Sequence, residues 1–319
     1  MLTTEEVTST KLLIKRVLSS IDLHGFYEPA CREEARHLLQ LGFCSNEIGI
    51  VLPHELERLD AASIRASFQE SKWQKTIDLQ VVPCIASTNS ELLSLAESES
   101  IHRSVLLAEL QIQGRGRFSR DWLSPFGQNV ALSMGVELNV NSSDVSALSL
   151  VVGIAVAQTL VSLDIENISL KWPNDVLLNG LKVGGILVEL FSVSSPMVAV
   201  IGIGLNYGSG KQLKDQLKDS VGDLTDWLER PARNRLCAGL IESVYSHVAC
   251  FNQMGFKAFI SQWNQLDALA GKPVSVSKDN AEFTGTAKGI RDDGALLVCD
   301  SKGVQQALVA GDVSIREAK

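Results

Sequence analysis

The sequence lacks any closely spaced pair of cysteines. Its six cysteines are scattered over 319 residues, and no CxxC pair occurs. This spacing argues against a cysteine-based zinc site and against a dense disulfide framework. We therefore predict six reduced thiols, most of them buried.

The sequence also lacks an excess of positive charge. Lys and Arg together number 29 against 37 Asp and Glu, and the formal net charge is −8. A protein whose whole surface binds nucleic acid is usually basic, so this class is excluded. The net charge does not exclude a local basic patch on the surface.

A long hydrophobic run is missing as well. The longest apolar stretch, residues 148–163, includes Ser149, Gln158 and Ser162 and falls short of the ~20 residues that span a bilayer. The N-terminus carries Glu5 and Glu6 instead of a basic and then apolar signal peptide. We predict a buried helix at 148–163 and a cytoplasmic protein with no membrane partner.

The first section of the chain, residues 1–66, has helical periodicity. Apolar residues recur at helical spacing over Lys11–Ile21, and Glu33–Leu41 is typical of a second helix that ends at Gly42. The stretch Ser45–Ile50 is interpreted as the start of a third helix. A small helical section is therefore expected here.

The rest of the chain divides into two sections. Residues 67–268 alternate helical patterns with β-branched runs of strand length, which favours a mixed-sheet α+β domain. Residues 269–319 contain short strands separated by turn signals, a pattern typical of a small β-barrel. The hydrophobic fraction of 45% is ample for these cores. We predict an α+β protein with these three domains.

A glycine- and arginine-rich stretch at Gly114–Trp122 is the most informative segment. Two arginines alternate with two glycines, and a third arginine and a tryptophan follow. Glycines let the backbone approach a ligand, and arginines hold carboxylate or phosphate oxygens in pairs. Trp122 could stack on a purine or cover the site. Taken alone, this stretch fits a solvated basic turn equally well.

A second stretch, Lys171–Glu189, places polar residues at the end of a strand. Asn174 and Asp175 follow Pro173, and an Asn179–Gly180 turn returns the chain through Lys182. Such a hairpin can bring Asp175 and Lys182 into one cleft. A lysine there can neutralise the phosphate charge of nucleotidyl transfer, and an Asp can hold an amide, a hydroxyl or Mg²⁺. A plain hairpin with an exposed lysine is the alternative.

A third stretch, Ser87–Asn89, precedes a helical pattern. Ser87 or Thr88 is predicted to cap this helix. Hydroxyls and an amide at a helix start also suit a small polar heterocycle. Alone, the capping interpretation is the better one.

In this order, the three stretches resemble the catalytic domain of biotin–protein ligases. That family carries a Ser-Thr-Asn segment, a GRGRxxRxW loop, and KWPND followed by a lysine in a glycine-rich strand. The resemblance spans about residues 80–319, including a C-terminal barrel of the SH3-like type. Its further motifs are Ser-Pro-Phe-Gly at 124–127, Gly202–Asn206 and Gly289–Leu297.

The resemblance implies roles for individual residues. Lys182, Arg117, Arg120 and Asp175 would be catalytic, with Lys182 stabilising the charge of the transition state and Asp175 near a metal ion. The implied biotin site consists of Ser87, Thr88, Asn89, Gln111, Arg115, Gly116, Arg117, Lys182, Gly185 and Leu187. The implied nucleotide site consists of Arg117, Arg120, Trp122, Asn174, Asp175 and Asn206. One departure is Ala131, where some members carry an aromatic residue, so the biotin pocket is expected to differ from theirs at this position.

The reaction that the resemblance implies has two steps and uses ATP and Mg²⁺. Biotin and ATP form biotinyl-5′-AMP, and a lysine of an acceptor then takes the biotin. The implied acceptor is the biotin carboxyl carrier protein of acetyl-CoA carboxylase. Lipoate and octanoate enzymes share a similar core. The lipoate enzymes are expected to carry an Arg-Arg-x-Ser-Gly-Gly-Gly-like loop, whereas this sequence has Gly-Arg-Gly-Arg at 114–117. Some members dimerise through strands of the central sheet, and the sequence leaves homodimer formation open.

The resemblance also raises the question of DNA binding, because bifunctional bacterial members carry an N-terminal winged helix-turn-helix and act as repressors. Residues 1–53 contain five basic and seven acidic residues, and the predicted third helix has no basic residue. DNA affinity depends on phosphate neutralisation by Lys and Arg. The repressors' Gly-Lys-Gly-Tyr-like wing is also missing. We expect a degenerate helix-turn-helix with weak or no DNA binding, with repression as the alternative.

Overall fold

A computed structural model describes residues 3–53, 56–140, 144–192, 196–208, 221–227, 233–278, 281–310 and 313–317. Its helices are α1 (Thr4–His24), α2 (Arg32–Gln40), α3 (Ala61–Ala66), α4 (Ser71–Thr76), α5 (Thr88–Leu95), α6 (Leu148–Val161), α7 (Arg233–Met254) and α8 (Ile260–Leu266). Its first nine strands are β1 (Cys44–Asn46), β2 (Gly49–Val51), β3 (Asp78–Val82), β4 (Ser104–Ala108), β5 (Asn129–Leu138), β6 (Ile168–Lys171), β7 (Asp175–Leu178), β8 (Leu181–Ser192) and β9 (Met197–Asn206). The last five are β10 (Pro273–Lys278), β11 (Ala281–Ile290), β12 (Leu296–Asp300), β13 (Gln305–Leu308) and β14 (Val313–Glu317).

The described strands form three sheets, of which the central sheet and the C-terminal sheet were predicted. A two-stranded hairpin joins β1 and β2, and a mixed central sheet has the order β3-β4-β5-β9-β8-β7-β6. A five-stranded antiparallel sheet has the order β13-β12-β11-β10-β14. The α+β prediction, with a small N-terminal helical section and an SH3-like C-terminal sheet, is confirmed.

The chain forms two compact units, which are described separately. The first consists of Met1–Val136 and Val200–Gly239, and the second of Glu137–Ala199 and Leu240–Lys319. The predicted division into domains at 1–66, 67–268 and 269–319 stays a prediction.

One prediction for the N-terminal section is wrong. Ser45–Ile50 does not begin a helix, because it forms the β1–β2 hairpin. The side chain of Asn46 accepts the backbone N–H groups of Ile48 and Gly49 at 3.0 and 3.1 Å, which fixes a tight turn. Ile50 then exchanges two backbone hydrogen bonds of 2.8 Å with Tyr27. Gly49 has φ +151°, a conformation that other residues rarely adopt.

The N-terminal section shares one hydrophobic core with the rest of the first unit. Buried residues of α1 and α2, including Ile14, Val17 and Leu38, pack in a single cluster with Leu110 and Phe126. Burial of these apolar side chains is the main stabilising contribution to the contact between the N-terminal helices and the rest of the unit. The section is therefore an integral part of the unit.

The junction between α2 and β1 fixes the segment that follows the Gly114–Trp122 loop. The backbone N–H of Phe126 donates to the Leu41 carbonyl at 2.7 Å, and the Gln128 amide donates to the Gly42 carbonyl at 2.8 Å. The rings of Phe43 and Phe126 stack with centroids 4.6 Å apart. Gly42 has φ +103°, and a side chain there would lie 2.7 Å from the Phe126 nitrogen. Close backbone approach therefore requires a glycine.

The predicted buried helix at residues 148–163 is confirmed as α6 in the second unit. Nearly all of its side chains are buried, although Val161 is 57% exposed. Within the described residues, none of the helices combines the length and apolar content of a membrane span.

The six cysteines are free thiols, as predicted, but fewer are buried than expected. Only Cys84 and Cys237 are buried, while Cys31 and Cys44 are exposed. Burial raises the pKa of both the Cys84 and the Cys237 thiol to about 12. These two thiols are therefore protonated packing groups.

Candidate functional site

The Ser87–Asn89 stretch forms the start of α5, as its capping prediction requires, and its proposed role toward a heterocycle stays a prediction. Ser87 caps α5 by accepting the backbone N–H of Ser90 at 3.4 Å, which confirms the capping prediction. The backbone N–H and the hydroxyl of Thr88 both donate to the Gln111 side-chain oxygen, at 2.9 and 3.0 Å. The helix start therefore holds Gln111 beside Thr88.

A serine that the sequence analysis did not select completes this cluster. The Ser133 hydroxyl lies 2.7 Å from the Thr88 hydroxyl and 2.5 Å from the Asn89 side-chain oxygen. Thr88, Asn89 and Ser133 are all at least 96% buried. The sequence signal for Ser133 was a hydroxyl between the apolar residues Leu132 and Met134 of a buried strand. The cluster offers uncharged donors and acceptors, which suits a neutral polar heterocycle.

Two glycines of β9 make room for this cluster and for Trp122. A side chain at Gly202 would collide with the Asn89 amide, and one at Gly204 would lie 2.5 Å from the Trp122 ring. Two residues further along the same face of β9, the Asn206 side chain donates to the Gly222 carbonyl at 2.9 Å. Gly202, Gly204 and Asn206 therefore line one face of β9.

The Gly114–Trp122 stretch is a narrow loop whose two arms are joined by backbone hydrogen bonds. The Trp122 N–H donates to the Gly114 carbonyl at 2.8 Å, and the Gly116 N–H donates to the Arg120 carbonyl at 2.7 Å. Phe118 forms the tip, with φ +56° and 54% exposure. A non-glycine residue at positive φ is uncommon and marks local strain.

Two arginines of the loop lie against its tip. The guanidinium carbons of Arg117 and Arg120 are 4.9 and 5.9 Å from the centroid of the Phe118 ring. Arg117 and Arg115 are half-buried, whereas Arg120 is exposed. The loop therefore carries three arginines, two of which lie against the Phe118 ring, and their roles toward a ligand stay predictions.

In the second unit, the predicted hairpin brings Asp175 and Lys182 together. The Lys182 ammonium lies 2.5 Å from an Asp175 carboxylate oxygen, and the two side chains are 33% and 24% exposed. Lys182 pairs with Leu177, two residues beyond Asp175, so both side chains lie on the same face of the sheet. Asn179 and Gly180 have φ +50° and +79°, as a two-residue hairpin turn requires.

The turn before Asp175 is fixed by three hydrogen bonds. The Trp172 indole donates to the Gly294 carbonyl at 3.0 Å, and the Ser149 hydroxyl donates to the Pro173 carbonyl at 3.0 Å. The Asn174 amide donates to the Ile186 carbonyl at 3.1 Å, between the positions of Gly185 and Leu187 in β8. The polar groups of this turn are therefore held in place before any ligand arrives.

A buried ionic network was not found from the sequence. The Arg233 guanidinium, which is fully buried, donates to a Glu109 carboxylate oxygen at 2.6 Å and to the Asn129 carbonyl. The other Glu109 oxygen accepts the Leu59 N–H at 2.6 Å. Glu57 accepts the N–H of Arg233, at the first residue of α7. The network joins segments more than 100 residues apart, and no local pattern signals it.

Comparison with known proteins identifies relatives of this chain among the biotin protein ligases. Residues 81–206 match the biotin/lipoate A/B protein ligase family, and residues 270–316 match the biotin protein ligase C terminal domain. The bifunctional ligase/repressor BirA of Salmonella typhimurium is 34% identical over 273 residues, which are 85% of this chain and 82% of that protein. The biotin–[acetyl-CoA-carboxylase] ligase of Mycobacterium tuberculosis is 33% identical over 263 residues, 80% of this chain and 95% of that protein.

A solved structure gives the same result. The biotin protein ligase from Aquifex aeolicus in complex with biotin and ATP is similar with a TM-score of 0.65 and 26% identity. The match covers 76% of this chain and 99% of that chain. The chain belongs to the biotin protein ligase family.

Proposed function

We propose that this protein is an ATP-dependent biotin–protein ligase. It forms biotinyl-5′-AMP from biotin and ATP and transfers biotin to a lysine of the biotin carboxyl carrier protein of acetyl-CoA carboxylase. Lys182, held 2.5 Å from Asp175 and one-third exposed, carries the catalytic part of the proposal.

The first step joins two anions, the biotin carboxylate and the α-phosphate of ATP. Lys182 supplies positive charge at the reacting phosphate. Arg117 and Arg120 are the further cations that the resemblance assigns to the nucleotide, and the Gly114–Trp122 loop that carries them orders when the ligands bind. The carboxylate oxygen attacks the α-phosphorus and pyrophosphate leaves. The mixed anhydride is a reactive acyl donor, and loop closure protects it from water.

The second step needs only an acceptor amine. The nitrogen of the neutral acceptor lysine attacks the biotinyl carbonyl, AMP leaves with the electrons of the C–O anhydride bond, and one proton of the amine is released to solvent. The uncharged cluster of Thr88, Asn89, Gln111 and Ser133 binds the ureido group of biotin, whose N–H and C=O groups match its donors and acceptors.

The described residues fit a Mg²⁺ ion that is bound mainly by the phosphates of the nucleotide and not by a cage of protein side chains. Among them, no group of three or more His, Cys, Asp or Glu is arranged to hold a metal ion. Mg²⁺ commonly binds one or two carboxylates and otherwise phosphate oxygens and water. Asp175 would be the single protein ligand, and the ion would neutralise phosphate charge when bound.

Transfer of biotin to a purified biotin-carrier domain tests the proposal. With ATP and Mg²⁺, the protein should label the acceptor with biotin, detectable as a mass increase on one lysine. Octanoate and lipoate, offered in the same assay, should not be transferred. Transfer of either in place of biotin would mean that the chain shares the family fold but has a different substrate.

DNA-binding repression is the second candidate function, since the BirA relatives are named bifunctional ligase/repressors. The charges of the N-terminal section oppose it. Arg16 forms an ion pair with Glu34 at 2.9 Å, and Arg58 forms one with Asp22 at 2.8 Å. The Tyr27 hydroxyl bonded to Glu34, together with Arg16, lowers the pKa of this carboxyl, which therefore stays anionic.

We therefore expect no operator binding above the non-specific level. A gel-shift assay at low salt, with biotin and ATP present, measures this with a duplex of the operator of a biotin-synthesis gene. Low salt favours any electrostatic binding, so the assay is biased against the expectation. Tight, sequence-specific binding would show that the protein also acts as a repressor. Homodimer formation and a cytoplasmic location stay predictions from the sequence.

A further inference from the structure

A buried asparagine at the start of β5 has no hydrogen-bond partner. Both the amide oxygen and the amide nitrogen of Asn129 are unpaired within the described structure, and the residue is only 1% exposed. An unsatisfied buried amide is costly, and such groups in native proteins call for an explanation such as an absent ligand or water. Asn129 was not among the site residues that the sequence indicated.

The strand pairing places Asn129 next to Asn206. The Tyr207 N–H, just after β9, donates to the carbonyl of Gln128, just before β5, at 3.2 Å. The end of β9 therefore meets the start of β5, and the two neighbouring strands are antiparallel. Tyr207 is therefore paired with Gln128. In an antiparallel pair the next residue of β5, Asn129, lies opposite the preceding residue of β9, Asn206, so the two asparagines are cross-strand neighbours.

Asn129 lies on the same face of the central sheet as the polar cluster around Ser133. Side chains alternate along a strand, so Asn129, Ala131 and Ser133 lie on one face of β5. Ser133 contacts Asn89, and the adjoining Gly202 of β9 also lies against Asn89. Asn129 thus lies on the same face, at the opposite end from the cluster.

The Trp122 ring lies over Gly204, between these two ends of the face. An indole there offers a flat surface on which a planar base can stack. An asparagine amide presents a donor and an acceptor side by side, and this pair matches the amino group and an adjacent ring nitrogen of adenine. The neighbouring Asn206 amide nitrogen already donates to Gly222.

The backbone of Asn129 is held rigidly for such a role. Arg233, which is fully buried, donates two N–H groups to the Asn129 carbonyl, at 3.0 and 2.5 Å. A side chain on a fixed backbone loses little freedom when it binds, which favours selective recognition.

We propose that Asn129 recognises the adenine base of ATP and sets the nucleotide specificity of the first step. Its amide oxygen accepts a hydrogen bond from the 6-amino group, and its amide nitrogen donates to an adjacent ring nitrogen. This proposal rests on the proposed function, because it takes ATP as the nucleotide substrate.

A pair of nucleotides that differ only in the 6-amino group tests the proposal. Biotin-dependent pyrophosphate release is measured with ATP and with purine riboside triphosphate, which lacks that group. We expect wild type to prefer ATP by on the order of 10-fold in kcat/KM, the effect of a good base contact. Asn129→Ala should lose most of this preference, because ATP loses two hydrogen bonds and its kcat/KM falls further than that of the analogue, which loses only the bond to the ring nitrogen.

Leu132→Ala is the matched control. Leu132 is a buried residue of the same strand, on its opposite face. This variant should lower thermal stability and keep the wild-type preference for ATP. Asn129→Ser provides a second variant in case Asn129→Ala does not fold, and circular dichroism checks the fold of each.

Two outcomes would overturn the assignment. In one, wild type uses both nucleotides equally well. In the other, Asn129 variants lower kcat/KM for both nucleotides by the same factor, as a purely structural residue would. A wild-type protein that releases no pyrophosphate with biotin and ATP would instead contradict the proposed function itself.

Discussion

Lys182→Ala is expected to slow formation of the adenylate by on the order of 10²- to 10³-fold, the usual effect of removing one group that stabilises transition-state charge. Two anions must approach each other in this step, and the Lys182 ammonium is the positioned cation of the β7–β8 hairpin. Its loss also leaves the Asp175 carboxylate, 2.5 Å away in the wild type, without its counter-charge. The rate should fall in kcat more than KM rises, because the charge develops during the reaction.

Single-turnover pyrophosphate release with saturating biotin and ATP measures this rate. Lys257→Ala removes an exposed lysine from the segment after α7 and serves as the charge-matched control. Lys182→Ala combined with Asp175→Asn separates the two causes, because the double variant no longer carries an unpaired carboxylate. A Lys182→Ala rate within about 3-fold of wild type would mean that another cation stabilises the transition state.

Arg233→Leu should have the largest effect on stability. The free energy of unfolding is expected to fall by about 3–5 kcal/mol, the usual cost of removing one partner of a buried ion pair. The Arg233 and Glu109 side chains are 0% and 4% exposed, so water cannot replace the lost partner. The substitution also removes the two donors to the Asn129 carbonyl.

Urea unfolding followed by circular dichroism measures the change. Arg291→Leu is the control, because its ion pair with Asp293 lies in an exposed turn where Arg291 is 52% exposed. Exposed pairs contribute about 0–1 kcal/mol, so this variant should stay close to wild type. In the double variant Arg233→Leu with Glu109→Leu, the loss should be smaller than the sum of the two single losses. An Arg233→Leu protein as stable as the Arg291→Leu protein would show that the network is not a major source of stability.

The parts of the site that the sequence predicted are those encoded by short, local patterns. The Asn179–Gly180 turn predicted the contact between Asp175 and Lys182, because a two-residue hairpin fixes which residues face each other. The Ser87 cap and the buried α6 followed from equally local signals. The α+β class followed from the order of such elements along the chain.

The parts that the sequence did not predict depend on contacts between distant residues. Ser133 approaches Thr88 across 45 positions, and Arg233 approaches Glu109 across 124. Periodicity indicates which residues are buried but not which buried polar groups meet. The β1–β2 hairpin was missed for a different reason, since Asn46 and Gly49 set a turn inside a stretch that was assigned as helix.

Because α1, α2 and Phe126 share one core, we expect the N-terminal section to be thermodynamically linked to ligand binding. Phe126 lies four residues beyond Trp122 and three before Asn129, so a ligand that orders this stretch also stabilises the helices packed on it. By the same linkage, we expect a substitution on the inner face of α1 to weaken ligand affinity without touching the ligand. The section therefore cannot be removed or replaced as an independent domain. A protein that lacks residues 1–53 would expose Cys84, Leu110 and Phe126 to water.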